Sequence, residues 1–391
     1  MKRFDISLVV AALVLALVGL LTIFSAGGTY YLVRQLVFLP VAVGAAVVAY
    51  FVPRRVLYAL AEPLYAMTLL ALGAVLLVGT GPGSRRWFAL GPLYIQPSEI
   101  AKLATVIIVA KYVSLKRTIE LSFRDLAAPV LLALVPALLV VIEPDLSTSI
   151  TFAAALTAML YWQGMRPLHI LLLFTPAISF VAGFSLYVWI PFFFLLAVVT
   201  LVRSGLKKSL VALGVSAVFG LLSPFVLSML KEYQRDRIRA FVAPWLDPHG
   251  VGWNAIQSQI AIGSGRLLGK GFLQGTQKRL GFLPNQHTDF AFSSAGEELG
   301  FVGCVLLLTA FGLLLYRFLH TARYTRDSFG AQLCVGFAAI IGYQTFVNIG
   351  MLVGLLPITG IPLPFLSYGG SSLLLNALMV GLVLNVAARQ E

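Results

Sequence analysis

The residues best suited to chemistry are His287 and Asp289, two positions apart in the polar stretch LPNQHTDF at 283–290. An apolar run begins near Leu299. Ionisable groups at the end of a membrane span are costly to place without partners, which makes these two residues candidates for a function. We therefore predict that Asp289 acts as a general base or charge anchor, and that His287 orients or hydrogen-bonds a ligand. The alternative is a polar loop in which Asp289 caps the next helix, because aspartate is a favoured N-cap residue.

A second candidate is the glycine-rich stretch at 257–275, which reads QSQIAIGSGRLLGKGFLQG and holds Arg266 and Lys270 among five glycines. Glycine lets backbone N–H groups approach a ligand closely, and the two cations could neutralise a phosphate. We predict substrate-binding roles for Arg266 and Lys270 on this basis. The stretch lacks the spacing of a Walker motif, which argues against an ATP site. A flexible amphipathic loop on the membrane surface explains the same residues nearly as well.

A third candidate lies where the Gly- and Pro-rich segment 79–98 enters the fourth apolar run. Glu99 and Lys102 are three residues apart and therefore share a helix face. A lysine this close to the membrane must snorkel, pair or line a wet cavity, so we predict that Lys102 binds a phosphate or pairs with an acid. The structural alternative has Ser98 as an N-cap and Glu99 complementing the helix dipole. On the residues alone, Trp87 belongs to an interfacial aromatic and basic belt.

A fourth candidate is the stretch 356–372, in which three prolines and three glycines prevent a continuous helix. The stretch is too apolar for a solvated loop, and irregular backbone at membrane depth is tolerated only where it is buried in protein or lines a cavity. We predict that Ser367 and Tyr368 form part of a catalytic cavity wall here. In the flanking runs, polar side chains are expected to hydrogen-bond between helices; they are Gln344, Asn348 and Asn376.

The elements that position these residues are predicted to be membrane spans. Of the 391 residues, 59% are hydrophobic and 11% charged, whereas a soluble domain carries about 25% charged residues. The net charge of +13 is spread over short loops and helix ends, which fits a membrane with anionic lipids better than a nucleic acid. The composition therefore excludes a soluble nucleic-acid-binding protein.

Twelve apolar runs approach the length of about 20 residues that crosses a bilayer. They are 6–25, 32–51, 57–79, 98–115, 126–142, 147–163, 168–187, 188–203, 209–230, 299–319, 331–353 and 365–388. Basic residues fall on the cytoplasmic side if the N-terminus is cytoplasmic, and the even number of spans returns the C-terminus to that side. We predict one membrane domain, 1–391, with one large extracytoplasmic loop at 231–298.

Six motifs, in order along the chain, closely resemble the SEDS family of bacterial cell-wall proteins. They are QPSEIAK, QSQIAIGSG, LLGKGFLQGTQ, FLPNQHTDFAF, AGEELG and GLLPITGIPLPFLSYGGSS. The wording of the second to fourth motifs is similar to the RodA branch rather than to FtsW or SpoVE. The resemblance covers nearly the whole chain.

That resemblance implies a peptidoglycan glycosyltransferase that polymerises lipid II outside the cytoplasmic membrane during elongation and shape maintenance. The family's required aspartate falls on Asp289, its outer-loop tryptophan on Trp87, and its PSE-x-x-K pattern on Glu99 and Lys102. The resemblance also implies a single-span class B penicillin-binding protein as partner, since no S-x-x-K with a K-T-G motif is present for cross-linking. Small residues of the C-terminal spans are expected to receive that span; they are Gly342, Gly350, Gly354 and Ala377.

The chain departs from the family pattern at two places. Relatives usually read HTDFIFA, whereas this chain reads HTDFAFS at 287–293, a neutral change that should not move the aspartate. Family members have ten spans, and the surplus here is predicted as one extra hairpin at about 168–208.

Two other functions use the same residues. A lipid II transporter would also carry charged groups inside spans and broken helices, but the ionisable clusters collect on one face and no chain of carboxylates crosses the membrane. A non-catalytic scaffold would leave the HTDF segment without a role. We predict no certain cofactor and no protein metal ligands, and the sequence leaves a divalent cation open.

Overall fold

The computed structural model describes residues 5–80, 86–90, 93–116, 123–229, 251–279 and 286–389. Helices dominate it, because long apolar runs can satisfy their backbone groups in lipid only as helices. In chain order they are α1 Ile6–Phe51, α2 Arg54–Val78, α3 Pro97–Ser114, α4 Phe123–Ile142, α5 Leu146–Trp162, α6 Pro167–Ala182, α7 Leu186–Ser204, α8 Leu206–Met229, α9 Val251–Ser264, α10 Thr276–Arg279, α11 Ala291–Tyr324, α12 Ser328–Leu352 and α13 Gly370–Ala388. An antiparallel hairpin, β1 Phe88–Leu90 and β2 Leu93–Ile95, precedes α3. The predicted all-α membrane bundle is confirmed.

All twelve predicted spans fall on helices of the structure. The first two form the continuous α1, whose backbone leaves helical geometry at Gly28, where φ is 77°. The remaining ten correspond to α2 to α8 and α11 to α13. By length and composition alone, seven of the described helices are long and apolar enough to cross a membrane, with α1 counted once. The chain is a multi-pass membrane protein.

Two predicted boundaries differ from the structure for reasons of backbone geometry. The span predicted at 299–319 begins eight residues earlier in α11, because helical backbone continues on both sides of a break at Gly300, where φ is 68°. The span predicted at 365–388 begins at Gly370, since residues 353–369 are not helical. The Pro- and Gly-rich stretch therefore forms irregular backbone, as predicted.

The outer-loop segment 231–298 is partly helical in its described portion. It holds α9, α10 and the beginning of α11, whereas residues 230–250 and 280–285 lie outside the described part of the chain. The Ser258 hydroxyl of α9 lies 2.7 Å from the Ser293 hydroxyl and donates a hydrogen bond of 3.0 Å to the carbonyl oxygen of Leu352. The loop is thereby attached to the ends of α11 and α12.

The chain divides into two compact units, one made of residues 1–163 and 239–391 and the other of residues 164–238. In the larger unit α12 is largely buried and packs on α3, α5 and α11. The smaller unit consists of α6, α7 and α8, and the extra hairpin predicted at 168–208 lies within it. There the Trp189 indole N–H donates to the Ser179 hydroxyl at 2.8 Å.

The small-residue face predicted on the C-terminal spans is largely used inside the chain. A Cβ atom at Gly342 would touch Leu315, one at Gly350 would lie 2.9 Å from a Leu356 methyl group, and one at Gly354 would overlap the Gln259 amide. Ala377 lines an apolar cavity of about 370 Å³ between α1 and α13. These small residues therefore take part in internal packing, and their contact with a partner's span stays a prediction.

Candidate functional site

The turn that carries Asp289 is fixed by the buried amide of Asn348 on α12. The Asn348 Nδ2 atom donates to the carbonyl oxygen of Asp289 at 3.0 Å and to that of Ile361 at 2.7 Å. One side chain thus joins the turn at 286–290 to the irregular backbone of 353–369. We predicted a role between helices for Asn348, and the structure gives it one at the base of the candidate site.

Ser367 and Tyr368 bind the main chain of the same turn. The Ser367 hydroxyl donates to the carbonyl oxygen of Thr288 at 2.6 Å and accepts from the backbone N–H of Leu363 at 2.8 Å. The backbone N–H of Tyr368 donates to the carbonyl oxygen of His287 at 2.8 Å. Both predicted residues therefore lie beside Asp289, and these contacts hold the turn in place.

His287 lies in an aromatic cluster that begins at the break in α1. Its ring stacks on Tyr31 with centroids 3.8 Å apart and meets the ring of Tyr368 edge-on at 5.7 Å. Burial lowers the pKa of His287 below its usual value, which favours the neutral imidazole at neutral pH. A neutral, stacked ring fits the predicted orienting role better than a catalytic one.

The Asp289 carboxyl lies against a glycine and does not act as a helix cap. A Cβ atom at Gly360, where φ is 76°, would be 3.4 Å from the Asp289 Oδ2 atom. The N-cap position of α11 belongs to Phe290, and no side-chain hydrogen bond caps that helix. The alternative in which Asp289 is the N-cap residue is therefore wrong, and the Asp289 carboxyl is partly buried.

Glu99 and Lys102 form a buried ion pair in the first turns of α3. The Lys102 ammonium lies 2.7 Å from the Glu99 Oε1 atom, and Lys102 is 1% exposed. The helix begins at Pro97 after Gln96, so the alternative in which Ser98 is the N-cap is wrong. The Ser98 hydroxyl and the second Glu99 oxygen have no hydrogen-bond partner among the described residues. Polar atoms left without partners in such a place suit a ligand.

A cluster centred on Arg86 and the turn at 143–145 was not predicted. Arg86 donates to the carbonyl oxygens of Glu143, at 2.7 Å, and Pro144, and lies 3.9 Å from the Asp145 carboxylate. Asp145 also caps α5 by accepting from the backbone N–H of Thr148. The only sequence signal was a pair of acids in the break between the apolar runs 126–142 and 147–163.

Glu143 is the most enclosed acid of this cluster. It is 1% exposed, and neither carboxyl oxygen has a hydrogen-bond partner among the described residues. Burial, with a smaller contribution from Asp145, raises the pKa of Glu143 to about 8, against the effect of Arg86. The carboxyl is therefore mainly protonated at neutral pH. Trp87, next to Arg86, is half-buried and pairs through its backbone with Thr80.

Lys270 is paired, whereas Arg266 is exposed. The Lys270 ammonium lies 2.7 Å from the Glu297 Oε1 atom on α11, which also accepts from the Thr276 hydroxyl and backbone N–H at 2.8 Å each. The Arg266 side chain is directed to the surface beside Leu268, which is 81% exposed. The loop therefore has features of both hypotheses: cations that could bind a phosphate, and exposed apolar side chains typical of an amphipathic loop.

The glycines of this loop allow backbone to lie directly on backbone. A Cβ atom at Gly265 would overlap the carbonyl oxygen of Gly296, and one at Gly269 would overlap that of Glu298. The backbone N–H groups of Lys270 and Gly271 donate to the carbonyls of Glu297 and Glu298 at 3.0 and 3.1 Å. The N–H groups that we predicted for a ligand are thus used to fasten the loop to α11.

Comparison with known proteins identifies relatives over the full chain. A model of the FtsW, RodA and SpoVE family, described as cell cycle protein, matches residues 4–195 and 182–391. The peptidoglycan glycosyltransferase MrdB of Escherichia coli strain K12 is 36% identical over 341 residues, which cover 87% of this chain and 81% of that protein. Stage V sporulation protein E of Bacillus subtilis strain 168 is 35% identical over 401 residues, covering 98% and 96%.

Two solved structures align with this chain over nearly its whole length. A chain of a peptidoglycan synthase complex, described in terms of the coordination of polymerisation and crosslinking, aligns with a TM-score of 0.76 at 31% identity and covers 100% of both chains. The rod shape-determining protein RodA of Thermus thermophilus aligns with a TM-score of 0.67 at 29% identity, covering 99% and 98%.

Proposed function

The chain belongs to the FtsW, RodA and SpoVE family of cell cycle proteins, and we propose that it is a peptidoglycan glycosyltransferase with its reaction centre at Asp289. The observation that carries this assignment is the fixed, partly buried carboxyl in a turn that Asn348 and Ser367 anchor. Relatives named as peptidoglycan glycosyltransferases support the reaction class.

The proposed reaction is an inverting transfer between two lipid II units. The 4-hydroxyl oxygen of the acceptor sugar forms a bond to the anomeric carbon of the donor, and the bond from that carbon to undecaprenyl pyrophosphate breaks. Asp289 takes the hydroxyl proton as the attack proceeds, while the bonding electrons leave with the pyrophosphate. Aspartate side chains are ordinarily ionised at neutral pH, which suits a base.

Cationic groups are proposed to stabilise the charge that develops on the leaving pyrophosphate. Arg266 is exposed and accessible, whereas Lys102 and Lys270 each pair with a carboxylate at 2.7 Å. A phosphate would have to replace or share those carboxylates. Trp87 and Tyr368 are proposed to contact the substrate from the outer hairpin and from the wall beside His287. A divalent cation, carried by the pyrophosphate, remains part of this proposal.

The site is proposed to face the outside of the cytoplasmic membrane, with both termini inside. Basic residues at the helix ends opposite the site support this orientation through the positive-inside rule. They include Arg54, Arg55, Lys111, Arg317, Arg323 and Arg326.

The test of the proposed function uses the purified chain in detergent and in vesicles with labelled lipid II and no other glycosyltransferase. Glycan strands are the expected product, and parallel reactions with a chelator or added Mg²⁺ measure the metal requirement. Transbilayer movement of lipid II without polymer would instead assign the chain as a transporter, for which the buried Glu99–Lys102 pair is the supporting observation.

Replacing Asn348 with alanine is expected to slow polymerisation about tenfold and to lower the free energy of unfolding by about 1–3 kcal/mol, because two buried carbonyls lose their donor. The matched control is Asn376→Ala on α13, another buried asparagine, whose amide donates to the Ser372 hydroxyl at 3.4 Å. Polymerisation rates are compared after both variants have been checked for monodispersity. Equal rates for the two variants would show that Asn348 does not position Asp289.

The proposed partner is a class B penicillin-binding protein with one span, supported by the likeness to a chain of a peptidoglycan synthase complex. Its span is proposed to dock on exposed side chains of α11 and α12, such as Leu308 and Phe346, the second of which is 64% exposed on an otherwise enclosed helix. This face is proposed ahead of the glycine face, where Gly350 and Gly354 lie close to other side chains of the chain.

The double variant Leu308→Ala/Phe346→Ala is expected to reduce co-purification of the partner several-fold, because close packing drives helix association in lipid. The control is Leu70→Ala/Leu77→Ala on α2, where both side chains are also exposed. Co-purification from native membranes is the measurement. An unchanged yield with the first pair would move the interface to another face of the bundle.

A further inference from the structure

A polar cavity of about 390 Å³ lies at the ends of the helices opposite the candidate site. The start of α2, the end of α3 and the start of α12 form its walls. Since α3 has 18 residues and a helix rises about 1.5 Å per residue, the cavity lies about 27 Å from the Glu99 end. That separation is close to the thickness of a bilayer's hydrocarbon core, so the cavity lies at the opposite membrane surface.

The cavity presents a positive charge that none of the described residues neutralises. Its lining includes two arginines and one acid, and the acid is already used: the Arg54 guanidinium lies 2.6 Å from Asp327, which also accepts from the backbone N–H of Phe329. Arg55 lines the same space, is exposed, and makes no ion pair with any described residue. The Ser328 hydroxyl adds a donor suited to a phosphate, whereas the Ser114 hydroxyl of the same lining donates to the carbonyl oxygen of Lys111 at 2.9 Å.

The remaining walls are apolar and open towards lipid. Leu115, at the end of α3, lines the cavity and is 67% exposed, and Phe329 and the ring of Tyr58 lie on other sides. The Lys111 ammonium lies 4.4 Å from the centroid of the Tyr58 ring and is paired with Glu62 at 2.7 Å, so it adds no unpaired charge to the cavity. A free anion would make no favourable contact with the apolar Leu115 side chain. A lipid would bury that side chain under its glycerol and acyl chains.

From this geometry we propose that the cavity binds the phosphate-bearing headgroup of an anionic phospholipid in the leaflet opposite the site, which is the cytoplasmic leaflet in the proposed orientation. Arg55 contacts the phosphate, the Ser328 hydroxyl donates a hydrogen bond to it, and the acyl chains leave past Leu115. The bound lipid thereby joins α2, α3 and α12 at the end where no other described ion pair links α3 to α12.

The proposal is tested with the full purified chain by native mass spectrometry during titration with phosphatidylglycerol or phosphatidylcholine. The wild-type chain should retain phosphatidylglycerol more tightly. Arg55→Gln should weaken that retention about fivefold, the usual effect of one arginine near an anionic lipid surface, and Arg55→Lys should lose less. The matched control is Arg326→Gln, an exposed arginine at the same membrane surface that does not line the cavity.

Two results would overturn the proposal. One is equal lipid retention by the Arg55→Gln and Arg326→Gln chains, and the other is full displacement of phosphatidylglycerol by inorganic phosphate, which would make the cavity a site for soluble anions. All variants should polymerise lipid II in detergent at the wild-type rate, because Arg55 is far from the reaction centre. If only the Arg55→Gln chain is no longer monodisperse, Arg55→Lys is compared with the control instead. Arg55→Lys must then retain less phosphatidylglycerol than Arg326→Gln does.

Discussion

Replacing Asp289 with alanine is expected to lower the rate of glycan polymerisation by about 10²–10⁴-fold, the range typical of a general base. The stability of the chain should change little, because the anchoring hydrogen bond from Asn348 goes to the carbonyl oxygen of residue 289 and not to its side chain. Asp289→Asn keeps the shape of the group but cannot take the proton, so it should be as slow as the alanine variant.

The matched control for Asp289 is Asp125→Ala, which removes a partly buried carboxylate that pairs with Lys116 at the other membrane surface. Polymerisation of labelled lipid II and thermal unfolding are measured for all three variants. A well-folded Asp289→Ala chain that makes glycan as fast as the Asp125→Ala chain would remove Asp289 from the reaction.

Replacing Lys102 with methionine is expected to destabilise the chain by about 3–5 kcal/mol, because the change leaves the buried Glu99 carboxylate without its partner. Methionine has a side chain of similar length, so the variant measures the loss of charge and not the loss of volume. Polymerisation should fall at least tenfold as well, since we propose that Lys102 shares its ammonium with the substrate's phosphates.

The double variant Glu99→Gln/Lys102→Met separates these two effects. With both charges removed, no unpaired charge is buried, so the thermal unfolding temperature should return close to that of the wild type. Polymerisation should stay low if the ammonium contacts substrate. Recovery of both stability and rate in the double variant would mean that the pair serves only the packing of α3.

Much of the architecture follows from the sequence because the bilayer imposes simple lengths and polarities. The apolar runs predicted the spans, and Pro357, Pro362 and Pro364 predicted irregular backbone where residues 353–369 leave helical geometry. Asp289 and Ser367 were predicted as site residues, and the structure brings them to one turn. Helix ends were less predictable, since glycines such as Gly28 and Gly300 redirect a helix without ending it.

Pairings between distant loops could not be read from the sequence. Arg86 reaches carbonyls and a carboxylate of the turn at 143–145, and Lys270 reaches Glu297 on α11. Each pair joins residues tens of positions apart, and nothing in local composition states which acid a basic side chain will meet. The positions of Trp87, Arg266 and the Glu99–Lys102 pair relative to a bound substrate likewise depend on a ligand and stay predictions.

The contact of backbone on backbone between the loop at 265–271 and the start of α11 has a consequence for reading natural variation among related chains. At Gly265 and Gly269 a single methyl group would overlap a carbonyl oxygen, and at Gly300 it would overlap the backbone of Gly269. Glycine should therefore be retained at these three positions even in a descendant that had lost its substrate, whereas the exposed Arg266 would be free to drift. Retention of these glycines among related chains would then indicate a requirement of folding. Retention of Arg266, which lies between them, would indicate the proposed role in catalysis.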